Sequence, residues 1–138
     1  MSDAALSTRP VSFHDVLCFE ATVSAAHPNA ASRWGSGSAG LPYVEFTGEF
    51  DEFHGALGRG GWLEPFDWPA WVPEAERFVR EPWLIAGADV GTLRRLLTTH
   101  FRRDRFVEGH RLAMVENGHM AAILRRLRAL SRTREEGR

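Results

Sequence analysis

Five residues in one short stretch of the chain, His100, Asp104, Glu108, His110 and His119, have the side chains that move protons near neutral pH. Histidine changes charge closest to neutrality, and a carboxylate beside it fixes its tautomer and raises its basicity. His100 and Asp104 stand four positions apart, the spacing at which two side chains on a helix can touch. The same five groups include metal-ligand types. None of their spacings forms a recognised ligand motif such as HExxH, so the sequence assigns no metal and no cofactor.

These residues must be carried by helices. Asp89 is placed to cap a helix running to about Arg103, with Leu93, Leu96, Leu97 and Phe101 along one face. A second helix is expected over Phe106 to Asn117 and closed by Gly118, and a third from His119 to about Arg132, burying Ile123, Leu124, Leu127 and Leu130. On these wheels His100 and Asp104 fall within the apolar arc of the first helix. His110 and Asn117 fall on that of the second, and His119 lies at the edge of the third. A polar group on an apolar face is costly unless hydrogen-bonded, so some of His100, Asp104, His110 and His119 should find one another. Such a network could simply tie three helices together, or it could serve catalysis or a ligand.

Arginines lie on the opposite faces, with Arg102, Arg103 and Arg105 closest to the histidine run. They could contact phosphates of a nucleic acid or another anion. All 17 basic residues are arginine, and the near-neutral total of −1 is a cancellation. Residues 1–90 sum to −8 and residues 91–138 to +7. The basic half could therefore pair with the acidic half of the same molecule.

Ahead of this half, residues 11–26 show helical spacing of Phe13, Val16, Leu17, Phe19 and Val23, with Ser12 as a candidate cap. Gly35, Gly37 and Gly40 match GxGxxG, but Pro42 stands where a helix would have to open, so the stretch reads as a flexible connection. Tyr43 to Thr47 is a short extended segment, and Phe50, Phe53, His54 and Leu57 mark a helix ended by Gly58, Gly60 and Gly61. The segment WLEPFDWPAWVPEAERFVREPW concentrates Trp62, Trp68, Trp71 and Trp83 among four prolines, which favour turns and helix starts over one long helix. Trp62, Phe66, Trp68 and Trp71 could be a stacking platform, but their charged neighbours are Glu64, Asp67, Glu74 and Glu76, which favours core packing.

The expected architecture is mainly α: a compact irregular helical domain of about five to six helices with one short extended pair. It spans residues 11–132, with a Gly/Ser-rich loop at 33–42, a flexible segment at 1–10 and a flexible tail at 133–138. Cys18 is the only cysteine, which excludes an internal disulfide and favours a reducing cytoplasm. The longest run free of Asp, Glu and Arg is the 12 residues Ala21 to Ser32, too short and polar for a bilayer span. No G-x-S-x-G elbow is present, and a chain without lysine has no Walker loop.

The stretch EPFDWPAW, followed by LLTTHFRRDRFVEGH and GHMAAILRRLRAL, resembles a family of small prokaryotic domains of unknown function. The resemblance covers roughly residues 41–130. It implies a bacterial protein that folds as a complete unit, and it implies no activity. Members often carry cysteine where this chain has Val107, so any thiol role there is absent here.

Two functions remain open. One is a small cytoplasmic interaction or regulatory module, monomer or homodimer, whose arginine-rich helices contact a protein or nucleic-acid partner. The other is an enzyme or a small-ligand or metal-binding protein using the His/Asp/Glu cluster of residues 100–119.

Overall fold

A computed structural model describes residues 11–24, 32–36 and 42–136. The described chain is mainly helical. In order it forms α1 (His14–Leu17), β1 (Ser32–Ser36), β2 (Pro42–Phe46), α2 (Gly48–Arg59), α3 (Trp68–Arg80), a 3-10 turn η1 (Pro82–Gly87), α4 (Val90–Arg103), α5 (His110–Glu116) and α6 (His119–Glu136).

α4 is the central element, because its buried residues Leu93, Leu96, Leu97, Thr98, Thr99, His100 and Phe101 span most of its circumference. α3, α5 and α6 pack on it. Asp89 caps it, accepting from Thr92 N at 2.8 Å. Thr98 stitches the 62–64 loop to this helix: its hydroxyl accepts from Glu64 N and donates to Trp62 O, both at 3.2 Å. Trp62 is fully buried and donates its indole N–H to Ser12 O at 2.8 Å.

Several local expectations are corrected. Only His14–Leu17 of the first helical stretch is α-helix, and Ser12 does not cap it but donates to Asp15 Oδ2 at 3.1 Å. Beyond Leu17 the bonds shorten to i→i−3, from Phe19 N to Val16 O and from Glu20 N to Leu17 O, so the chain proceeds in turns. Overlapping the stretch read as a Gly/Ser-rich loop at 33–42, Ser32–Ser36 pair antiparallel with Pro42–Phe46, with Trp34 opposite Val44. Gly35 of the GxGxxG pattern thus lies on a strand, while Gly37 and Gly40 fall outside the described residues. α6 continues to Glu136, into the segment read as a flexible tail, and residues 1–10 lie outside the described chain.

The proline-rich segment divides near its prolines, except that Pro73 lies inside α3. Asp67 caps α3 through Ala70 N at 3.4 Å, Pro69 sits in the first turn, and Pro82 opens η1. Trp71 lies 6.2 Å from Phe66 and 6.5 Å from Phe78, and Trp68 lies 5.9 Å from the exposed Phe106, whereas Trp83 is itself 67% exposed.

Candidate functional site

Burial of the last turn of α4 places His100 in the interior, where only 1% of it is exposed. A neutral imidazole there needs a partner at each nitrogen. The partners are two other histidines from the next two helices. His100 Nδ1 lies 2.9 Å from His110 Nε2, at the first position of α5, and His100 Nε2 lies 3.0 Å from His119 Nε2, at the first position of α6. Three helix termini thus meet at one imidazole.

A neutral ring donates from one nitrogen and accepts at the other, so the hydrogen bonds must run in one direction along the chain. In one sense His110 donates to His100 and His100 donates to His119. In the other, both bonds are reversed. The direction fixes the His110 nitrogen that is left over: Nδ1 is a bare acceptor in the first case and an N–H donor in the second.

Electrostatics keeps the chain uncharged. Burial holds His100 well below the ordinary histidine range, reinforced by His119, His110 and Arg103. His119 is pushed down to about 4, mainly by burial and then by His110. His110 is lowered by burial and Arg103, against the opposing pull of Asp104 and Glu76.

His110 and His100 also form part of the wall of a cleft of about 390 Å³. Glu76, Val79 and Arg80 of α3, Arg103 of α4 and Met114 of α5 complete the lining. The volume is at the small end of the range for small-molecule sites. Arg103 donates to Glu76 across the cleft at 3.1 Å.

Asp104 does not join His100. Its carboxylate accepts from Arg111 N at 3.0 Å and lies 2.9 Å from Arg111 Nε, so it caps α5 from outside that helix. The expected second helix starts late for this reason and because Gly109, just before α5, is left-handed at φ 81°. Arg111 in turn stacks on Phe46 at 4.1 Å and lies 3.1 Å from His54 Nδ1. Burial, Arg111 and Arg102 lower the His54 pKa. Glu108 is exposed in the α4–α5 turn and lines no part of the cleft.

Sequence reasoning missed Glu76 and Arg80, whose i,i+4 spacing matches an ordinary solvated helix face. It also missed Arg111. His54 carried a readable signal, since it lies four positions after Phe50 on the apolar arc of α2.

The three arginines nearest the histidines diverge. Arg103 faces Glu76, Arg102 is close enough to act on His54, and Arg105 is exposed. A metal held by all three linked histidines does not fit, because opposite edges of the His100 ring face its two partners and the nitrogens cannot converge. No group of three or more His, Cys, Asp or Glu among the described residues is disposed to hold a metal ion.

Over residues 16–133 the sequence matches a family of unknown function, DUF6508. No curated protein and no solved structure matches the chain.

Proposed function

The chain belongs to the DUF6508 family, whose function is unknown, and on that footing we propose that it is a small-molecule-binding protein that performs acid–base chemistry in the α3–α4–α5 cleft. His110 is the group that exchanges a proton with the ligand, and His100 and His119 position it.

One observation carries this reading: His110 stands in the cleft wall while its Nε2 is engaged 2.9 Å from a buried imidazole that is itself bonded to a third. Nδ1 is the nitrogen left for a ligand. Its state follows from the direction of the hydrogen-bond chain, so the buried pair selects whether the cleft meets a base or an acid. Burial favours the un-ionised form of His110, so Nδ1 meets a ligand either as a bare acceptor or as an N–H donor.

The arginine-bearing interaction module has less support. Arg94, Arg103 and Arg128 are paired with Glu64, Glu76 and Glu20 of the same chain. That use turns charge inward instead of toward a phosphate backbone.

The test is the 15N spectrum of the three imidazoles in the unaltered protein. The linked chain requires the protons to sit on Nε2 of His110, Nε2 of His100 and Nδ1 of His119, or on Nδ1, Nδ1 and Nε2 of the same residues. Any other combination, or tautomers that vary independently, would leave three histidines that only hold helices together.

A further inference from the structure

The cleft carries an unusual charge balance. Arg103 and Glu76 face each other at 3.1 Å and cancel. Arg77, on the same helix, is held by Glu74 at 3.4 Å and Glu81 at 3.6 Å. Arg80 lines the cleft with no ion pair among the described residues. With its histidines neutral, the lining has one uncompensated positive charge, from a guanidinium at the exposed end of α3. The remaining wall is apolar: Val79 packs against the core and Met114 is buried.

We propose that the ligand of this cleft is a small monoanionic carboxylate with an apolar body, its carboxylate held by Arg80 and its body against Val79 and Met114. The proposal rests on the cleft being the functional site and adds the chemical class of its ligand.

Three features select that class. A guanidinium presents paired N–H donors that match the two oxygens of a carboxylate. A cationic ligand would meet Arg80 without an available anion, because Glu76 is engaged by Arg103. A dianion such as a phosphate monoester would bring a second negative charge close to Glu76, with no second free cation to meet it. The volume of about 390 Å³ suits a small molecule. Anchored at Arg80, the body extends toward the wall that holds His110.

The test is a set of NMR titrations of the whole chain with hexanoate, hexanol, hexylamine and hexyl phosphate, repeated in Arg80→Gln. The charge balance requires hexanoate to bind at least about tenfold more tightly than the other three, a difference of about 1.4 kcal/mol. Arg80→Gln should remove that preference while leaving hexanol unchanged. Arg80 is exposed, so this variant should keep the fold. Equal affinity for hexanol, a preference for hexylamine or hexyl phosphate, or a hexanoate preference that survives Arg80→Gln would each overturn the proposal. The outcome is separable from the acid–base reading. A carboxylate preference in a protein whose histidines titrate independently overturns only the proton chemistry, and linked histidines without that preference overturn only the ligand class.

Discussion

His119 is the residue at which burial has the largest readable consequence. Its imidazole is pushed from 6.5 down to about 4 in the folded protein, and unfolding restores the ordinary value. Between about pH 6.5 and about pH 4 the unfolded chain therefore binds a proton that the native chain refuses. Stability is intact above this window and falls as the pH drops through it. A shift of this size corresponds to on the order of 3 kcal/mol, and His100 acts in the same direction. Urea unfolding midpoints should fall steeply from pH 7 to pH 4.5, and His119→Asn should flatten the pH slope whatever it does to stability at pH 7. A slope unchanged by the substitution would contradict the assignment. The sequence leads to the expectation that some of His100, Asp104, His110 and His119 meet, because each is a polar group on or beside an apolar arc. Their arrangement is not legible there. A helical wheel reports the face of a residue within its own helix, and the partner of His100 was decided by the approach of α5 and α6. Asp104, at the correct spacing for His100, was drawn away by Arg111.

Among the elements, α5 depends on a residue outside itself. It has seven residues and no cap from its own N-cap position, Gly109. A helix that short is marginal in isolation. Asp104 supplies the missing acceptor through Arg111 N, and the two side chains form a largely buried ion pair with 15% and 12% of their surface exposed. Asp104→Ala removes the cap and strands a buried guanidinium. It should destabilise the protein by roughly 3 kcal/mol, a loss typical of breaking a buried pair, and should raise hydrogen exchange in α5 before other helices. Gly109→Ala should cost roughly 1 to 2 kcal/mol, because a Cβ is strained at positive φ. Both are read from urea denaturation, and values near zero would show that α5 is held by packing alone. The sequence contained Gly109 and Asp104, but an acceptor six positions before the helix resembles no capping motif. For α1 the periodicity was genuine and the helix short, since Phe13, Val16 and Val23 are equally well buried by a succession of turns.

For the whole molecule, the sequence posed one question it could not answer: whether the acidic and basic halves meet each other. They do, at Arg94–Glu64, Arg103–Glu76 and Arg128–Glu20. The three pairs differ in burial and therefore in consequence. Arg94 and Glu64 keep only 7% and 9% of their side-chain surface, whereas Arg128 and Glu20 keep 43% and 32%. Arg94→Ala removes a guanidinium from beside a buried carboxylate and should cost roughly 3 to 5 kcal/mol. Arg128→Ala should cost under about 1 kcal/mol, because water and salt screen that pair. Equal losses from the two substitutions, measured by urea denaturation at 0.1 and about 1 M salt, would contradict this ordering. The mainly helical architecture was legible from periodicity and caps. The cleft was not, because it is made where α3, an element of the acidic half, faces α4 and α5.

The most direct test of the proposed proton chemistry is a titration of the 15N-labelled imidazoles of His100, His110 and His119 from pH 8 to pH 4. The linked chain requires all three to titrate below the ordinary histidine value, with His119 taking its proton only near 4 and that step registering in the 15N shifts of its two partners. Independent titration of His110 and His119 near 6.5, each blind to the other, would contradict the account.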